Sequence, residues 1–196
     1  MSPRRAIALS LAALAAFGCQ REPEVPRTLE RRTFFADGAP WSQLQYRAGK
    51  PTGTWITWHP GGKKASQGDY QDGQQHGRWQ RWYADGAPAV DANYIAGLLD
   101  GAYAESWPTG VRKTQGSYAR GKPEGLWIEW NRAGQKQVEG AYANGERDGV
   151  WTAWYAADDQ LGHKAGELRG RAVYEKGQLI TDKEKRRAAL EAAGVK

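Results

Sequence analysis

Aromatic residues recur along this chain at a fixed spacing and separate short extended runs. A tyrosine returns every 24 residues and opens the frame Y-x-x-G-x-x-x-G-x-W-x-x-W-x-x-x-G. The unit that begins at Tyr70 shows the whole frame, with Gly77, Trp79 and Trp82 in place. The five repeat tyrosines are Tyr46, Tyr70, Tyr94, Tyr118 and Tyr142. A self-similar period of this length predicts a protein built from stacked repeats.

Each repeat unit has the composition of one β-hairpin. Its runs, such as 54–58 and 78–83, are short and rich in aromatic or β-branched residues, which favour strands. The glycine pair Gly73 and Gly77 permits a tight loop, and a second turn recurs at Asp85-Gly86. Successive hairpins are therefore predicted to join edge to edge. The expected fold is all-β: an elongated, single-layer antiparallel sheet of stacked 24-residue hairpins over residues 33–180.

The tryptophan positions predict two aromatic columns, because equivalent positions in neighbouring hairpins lie about 9–10 Å apart. The first column holds Trp55, Trp79, Tyr103, Trp127 and Trp151, with the repeat tyrosines interleaved. The second column, three residues further on, holds Trp58, Trp82, Trp130 and Trp154. An offset of three points to the opposite face of an ideal strand. Either both faces carry aromatic side chains or a bulge realigns them.

The third unit departs from the frame. It carries Tyr103 and Ser106 at the two tryptophan positions, and Trp107 follows directly as a candidate substitute. Because each unit of a linear array contacts only its neighbours, this unit is expected to be the weakest of the five.

The fifth unit is longer than the others. The distance from Tyr142 to Tyr174 is 32 residues, an insertion of eight. Four extra residues on each arm would keep every side chain on its original face. We therefore expect residues 151–174 to form a protruding hairpin with its turn near 159–162.

The C-terminal segment, residues 181–196, has the pattern of a short helix. Thr181 and Glu184 have the spacing of a capping box, and 185–193 are strong helix formers before Gly194. This helix is predicted to cover the last exposed strand edge, as the cap of a repeat array does.

The N-terminus has the pattern of an export signal. Arg4 and Arg5 precede a short apolar run, 6–17, which is too brief to span a bilayer and ends at the sole cysteine, Cys19. Small residues before that cysteine resemble a bacterial lipoprotein box. The resemblance implies that Cys19 is acylated with a lipid such as palmitate and anchors the protein at a bacterial envelope membrane. The alternative is an ordinary signal peptide with an incidental cysteine.

The residues around the cysteine complete this domain assignment. Residues 1–19 are the predicted signal peptide and lipidation cysteine, and 20–32, rich in Pro, Glu and Arg, are a predicted disordered tether. Gln20 stands where an aspartate retains lipoproteins at the inner membrane, so the lipoprotein pattern favours the outer membrane.

Charge gives little indication of a partner. The net charge is +6, which falls to +4 when Arg4 and Arg5 are removed, and this mild excess predicts no nucleic-acid binding. Lys64, Arg112 and Lys136 share a repeat position. They are either a positive column for anionic lipid headgroups or a solvated face that prevents aggregation.

No reactive constellation is recognisable. His59, His76 and His163 occupy unrelated repeat positions, and neither metal-ligand spacing nor a catalytic motif is present. We therefore predict no enzymatic activity, catalytic residue, metal or cofactor.

The frame resembles MORN repeats in their bacterial variant form, G-x-x-x-G-x-W-x-x-[YW]-x-x-x-G, over residues 34–177. The resemblance implies a β-hairpin array that acts as a scaffold, and many variant members carry an antitoxin label. The function expected first is a non-enzymatic, envelope-anchored scaffold that binds a protein or a membrane surface. One alternative is a cell-wall glycan-binding module that uses the tryptophan columns, and another is an antitoxin-like partner of a toxin.

Overall fold

A computed structural model describes residues 27–156 and 162–195 of the chain. Thirteen strands form one open antiparallel sheet in which every strand pairs with its neighbours in sequence. The strands are β1 (Thr28–Phe34), β2 (Pro40–Arg47), β3 (Lys50–Trp58), β4 (Lys64–Gln71), β5 (Gln74–Trp82), β6 (Pro88–Ile95), β7 (Leu98–Ser106), β8 (Arg112–Ala119), β9 (Lys122–Trp130), β10 (Lys136–Ala143), β11 (Glu146–Trp154), β12 (Leu168–Glu175) and β13 (Gln178–Leu179). A helix, α1 (Lys183–Ala192), follows them. The predicted all-β repeat sheet with a C-terminal helix is confirmed.

Two kinds of turn alternate along the sheet. In the two-residue turn between β4 and β5, Asp72 and Gly73 both have positive φ, 51° and 87°. Such a turn matches the right-handed twist of the strands it joins, and glycine tolerates its geometry best. The turn between β5 and β6 is longer. There the Tyr83 N–H donates to the Ala87 carbonyl at 2.9 Å, and the Asp85 carboxylate accepts from the Ala87 N–H at 2.8 Å.

A wide bulge recurs inside the pairing of each two-residue hairpin. Between β4 and β5, Gln67 faces Gln80 and Asp69 faces His76, so Gly68 alone stands opposite three residues. Gly77, inside this bulge, has a φ of +71°. The bulge changes how the following side chain, Trp79, approaches the neighbouring strand.

The extra residues of the fifth unit lie in a loop. Strands β11 and β12 have nine and eight residues, the same lengths as in the earlier hairpins. The loop is closed where the Tyr155 N–H donates to the Glu167 carbonyl at 2.9 Å. The prediction of longer hairpin arms over 151–174 is therefore wrong, because arms beyond the neighbouring strands would have exposed unpaired backbone groups. Residues 159–161 of the predicted turn, 159–162, lie outside the described residues.

The predicted tether is wrong in its last five residues. Strand β1 begins at Thr28, inside the segment 20–32 that composition had assigned to disorder. Pairing with β2 satisfies the backbone groups on one side of β1, and the Glu30 carboxylate accepts bonds from Arg32 and Gln43. A strand can therefore form here without the buried apolar residues that the composition lacks.

The helix begins one residue later than the capping pattern predicts. Its N-cap is Asp182, whose carboxylate accepts from the Lys185 N–H at 2.8 Å, so Thr181 does not cap it. The Arg186 guanidinium donates to the Arg171 carbonyl on β12 at 2.7 Å, which covers part of the edge that the short β13 leaves open. Across the described residues, no helix has the length and apolarity needed to cross a membrane.

Candidate functional site

One face of the sheet carries a row of contacting aromatic rings, interrupted between Tyr94 and Tyr103, and we call it the inner face. Each buried tryptophan meets the tyrosine before it nearly at right angles. The ring centroids are 5.2 Å apart for Tyr70 and Trp79, and 5.0 Å apart for Tyr118 and Trp127. Edge-to-face pairs of this kind contribute about 0.5–1.5 kcal/mol beyond their area burial. The same tryptophans also meet the tyrosine of the next hairpin, with ring centroids 5.9 Å apart for Trp79 and Tyr94 and for Trp127 and Tyr142, so the rings hold neighbouring hairpins together.

A glycine lies beneath each buried tryptophan of this face. A Cβ added to Gly68 would lie 2.2 Å from Cδ2 of Trp79, which is closer than any atom can approach. The indole N–H of Trp79 then donates to the Asp69 carbonyl at 3.2 Å. Gly116 with Trp127 and Gly140 with Trp151 repeat the arrangement, with the indole donating to a backbone carbonyl in each.

These three tryptophans form the core of the protein. The exposed fractions of Trp79, Trp127 and Trp151 are 5%, 8% and 6%. Burying one such ring contributes about 4–6 kcal/mol before conformational entropy is subtracted. Because these three rings are buried, they do not offer an exposed surface on which a glycan could stack.

In the third unit, both the glycine and the tryptophan of this contact are replaced. Ala92 stands at the repeat position of the glycine, and Tyr103 at that of the tryptophan. Ala92 and Tyr103 face each other across β6 and β7, and Ala92 is 1% exposed. Its methyl group occupies the space that the indole uses elsewhere. The ring centroids of Trp79 and Tyr94 are 5.9 Å apart, but in the described sheet no ring contact joins Tyr94 to Tyr103.

The interrupted ladder leaves a cavity of about 430 Å³ on the inner face. We call it the third-unit opening. Its aromatic walls are Trp55, Trp79, Tyr94, Tyr103 and Tyr118, and its other walls include Gln75, Arg81 and Ser66. A larger hollow of about 620 Å³ lies beside α1, but among the described residues its lining comes only from α1 together with Gly194 and Val195.

The electrostatics of the opening follow from burial and nearby charge. Burial raises the pKa of the Tyr103 hydroxyl; Glu105, Tyr118 and Tyr94 add to the rise, and Arg81 opposes it. Burial likewise raises the pKa of Tyr118. The side chains of three tyrosines and one arginine border the opening: Tyr94, Tyr103, Tyr118 and Arg81.

The second tryptophan column lies on the opposite face, which we call the outer face. Trp82 is three residues beyond Trp79 in the same strand, and alternation places it across the sheet. The register does shift at Trp82, but the extra residue is in the partner strand β6. Both faces therefore carry aromatic side chains. Trp58, Trp82, Trp130 and Trp154 are all partly exposed.

Trp107 does not replace the missing tryptophan of the third unit. Ser106 pairs with Arg112 as Trp82 pairs with Pro88, so the register of this unit is unchanged. Trp107 occupies the turn position of Tyr83, and its indole N–H donates to the Trp130 carbonyl at 3.1 Å.

The turn position occupied by Trp107 forms a column of its own, which sequence reasoning missed. The Tyr83 hydroxyl donates to the Ser106 carbonyl at 2.7 Å, and His59 Nε2 lies 2.8 Å from the Trp82 carbonyl oxygen. The available signal was a side chain with a polar tip at every 24th position from His59, with Asn131 in place of a ring in the fourth unit.

Two of the three basic residues that share a repeat position have side-chain partners, and the charge of the third, Arg112, acts on Asp91. Lys64 donates to the Gln67 amide oxygen at 2.8 Å, and Lys136 forms an ion pair with Glu139. The nearby Arg78 holds Asp91 by two hydrogen bonds, and this bonding lowers the pKa of the Asp91 carboxyl. The geometry is that of a solvated face with local ion pairs.

The remaining residues considered from the sequence are the histidines and the lipidation cysteine. His163 stacks on Tyr155 at 4.1 Å, and His76 is exposed. In the described part of the chain, no three His, Cys, Asp or Glu side chains are grouped to hold a metal. Cys19 and the signal segment 1–19 lie outside the described residues.

The comparison with known families agrees with the repeat geometry. The model of the MORN repeat variant matches residues 51–72, which cover most of β3, all of β4 and the start of the next turn. No curated protein matches the chain.

Proposed function

We propose that the protein is a non-enzymatic repeat scaffold, anchored at a bacterial envelope membrane, whose outer face binds a protein partner. The proposal rests on the different burial of the two tryptophan columns. The inner-face tryptophans Trp79, Trp127 and Trp151 are buried and hold the array together, whereas those of the outer face are partly exposed. A rigid sheet with a row of accessible tryptophans is suited to recognition rather than catalysis.

The outer face also has aliphatic residues between its tryptophans. In β9, alternation puts Leu126, Ile128 and Trp130 on this face, and Leu126 is 57% exposed. Contiguous exposed apolar surface marks interaction sites, and tryptophan is enriched among residues that dominate binding energy. The solvent-exposed ion pairs of this face contribute little to stability, which is consistent with a rim around an apolar contact.

The test compares the two faces within single strands. Complexes are cross-linked in cells that express the wild type, the double variant Trp82→Ala/Trp130→Ala, or the control Glu129→Ala. Glu129 is exposed and adjacent to Trp130, but it points to the other face. We expect the double variant to lose cross-linked complexes and the control to retain them, with melting curves showing that both are folded. Complexes that survive in the double variant contradict an outer-face binding site.

The anchoring half of the proposal rests on the sequence around Cys19. We expect Cys19→Ser to move the protein from the membrane fraction to a soluble or unprocessed form and to abolish labelling by a palmitate analogue. Unchanged fractionation and labelling of Cys19→Ser would contradict lipidation. In a Gram-negative host, Gln20→Asp is the matched variant: it keeps the lipid and is expected to shift the protein toward the inner membrane.

Carbohydrate binding is a second candidate function, and one observation favours it. The third-unit opening is a cavity on the inner face whose lining includes five aromatic rings. The two functions use opposite faces, so the sheet can perform both.

A further inference from the structure

We propose that the third-unit opening is a subsite for an acidic sugar, a pyranose ring that carries a carboxylate. The inference rests on the second candidate function, carbohydrate binding, and adds the chemical class of the ligand. It does not depend on the outer face or on the anchor.

The cavity is built into the strands rather than left by a loop. It exists because Ala92 and Tyr103, which face each other in the ladder, replace the glycine and tryptophan of the other inner-face contacts. Strands β5 to β8 each pair with a neighbouring strand on both sides, interrupted by the recurring wide bulge of the two-residue hairpins. The walls of the opening are therefore positioned before any ligand arrives, which reduces the entropy lost on binding.

The available groups suit a sugar ring. Beneath the opening Ala92 pairs with Tyr103 and Tyr94 pairs with Leu99, so recognition of a ligand falls mainly to side chains. The faces of aromatic rings are electron-rich and attract the C–H groups of a pyranose face. The volume of about 430 Å³ is within the usual range for small-ligand sites.

Polar groups at the opening can match the hydroxyls of a sugar. In the described structure, the hydroxyls of Tyr94, Tyr103 and Tyr118 have no hydrogen-bond partner, whereas the Tyr83 hydroxyl donates to the Ser106 carbonyl. The Gln75 side chain supplies an amide at the same cavity. Such donors and acceptors orient a ligand that the rings hold.

One unpaired charge selects an acidic sugar over a neutral one. Within the described residues Arg81 has neither an ion pair nor a hydrogen bond, although Arg78 in the same strand is bonded to Asp91. The Glu105 carboxylate, whose charge acts on the Tyr103 hydroxyl at the opening, is already paired with Lys113 at 2.8 Å. A carboxylate on the ligand would give Arg81 a partner through charge-assisted hydrogen bonds, which are stronger than neutral ones.

An extended peptide fits this position less well. A peptide that binds a sheet gains its affinity from main-chain hydrogen bonds at a free edge. The opening lies among β5 to β8, in the interior of a sheet whose edges are β1 and β13.

The experiment measures binding of two matched oligosaccharides to the detergent-solubilised full-length protein by calorimetry. One is an oligomer of galacturonic acid and the other is a galactose oligomer of the same length. We expect the wild type to bind the acidic oligomer more tightly. Arg81→Gln should weaken the acidic oligomer about tenfold or more and leave the neutral one unchanged. Arg132→Gln is the control, because Arg132 is exposed and stacks on Trp107, which does not line the opening.

A second variant closes the cavity without weakening the fold. Ala92→Gly/Tyr103→Trp restores the arrangement of the other units, so it should abolish binding of both oligomers while the melting temperature stays level or rises. Binding that survives this closure, or acidic binding unaffected by Arg81→Gln, overturns the proposed subsite. Equal affinity for the two oligomers overturns the acidic class but leaves carbohydrate binding intact. If neither oligomer binds and an acidic, aromatic peptide does, both the subsite and the carbohydrate function are wrong.

Discussion

Gly68 lies directly beneath the indole ring of Trp79, with no room between them for a methyl group. A Cβ on the glycine would be 2.2 Å from Cδ2 of the ring. The contact allows the indole N–H to reach the Asp69 carbonyl at 3.2 Å and leaves Trp79 only 5% exposed. This relationship, repeated at Gly116 and Gly140, explains how a single-layer sheet acquires a core.

The first prediction concerns this close contact. We expect Gly68→Ala to lower the free energy of unfolding by about 1–3 kcal/mol, because the added methyl displaces a packed ring. Urea denaturation measures the loss. Gly170→Ala is the control: Gly170 has extended backbone and a Cβ there would meet no atom within 4 Å. Equal stabilities for the two alanine variants would show that the glycine is not required by the ring.

The second prediction uses the natural pair of the third unit. Because Ala92 coexists with Tyr103, Gly68→Ala/Trp79→Tyr should be less destabilised than the sum of its single variants. We expect a favourable coupling energy of about 0.5–3 kcal/mol in the double-mutant cycle, as for residues in direct contact. Additive single effects would mean that the two substitutions of the third unit are independent.

The third prediction addresses the missing outer-face tryptophan. Ser106→Trp should stabilise the protein by about 0.5–2 kcal/mol, because Ser106 keeps the register of the frame position. Trp107→Phe should destabilise it by about 0.5–1.5 kcal/mol through loss of the bond to the Trp130 carbonyl. Thermal unfolding of both variants checks the pair. A lower melting temperature for Ser106→Trp would mean that Trp107 occupies the same space.

The fourth prediction locates the weakest part of the array. In a linear stack, a unit with fewer interface contacts opens more often. The third unit lacks both a frame tryptophan at Ser106 and the ring contact between Tyr94 and Tyr103. Native-state hydrogen exchange should be fastest in β7 and β8 among the five units. Slower exchange there than in β9 and β10 would contradict this.

The fifth prediction is a loss of stability at alkaline pH. Burial raises the pKa of Tyr70, Tyr103 and Tyr118 above the usual value of 10.0. Above pH 10.0 the unfolded chain releases these protons first, so stability is full below that pH and declines as pH rises toward the folded values. Urea midpoints across this range, with tyrosinate absorbance, measure the effect. Tyr103→Phe should reduce the slope, and an unchanged slope would contradict the assignment.

The sequence alone was sufficient for the architecture. The period of 24 residues, the turn glycines and the short aromatic runs act within single hairpins, so local chemistry determines strand, turn and order of pairing. The same reasoning failed for β1 and for the insertion of the fifth unit. In both, pairing with a neighbouring strand decided the outcome, and composition does not report that pairing.

The tertiary structure decided which residues meet at the site. Gly68 and Trp79 are eleven positions apart, and they touch only because a wide bulge in the hairpin turns the ring onto the neighbouring strand. The opening at Ala92 and Tyr103 depends on the same contact, since a methyl in place of a hydrogen matters only where a ring would cover it. Likewise, only the cross-strand arrangement shows that Arg78 bonds to Asp91 while Arg81 has no partner among the described residues. The period predicted the columns, but only packing shows which rings are core and where the column is open.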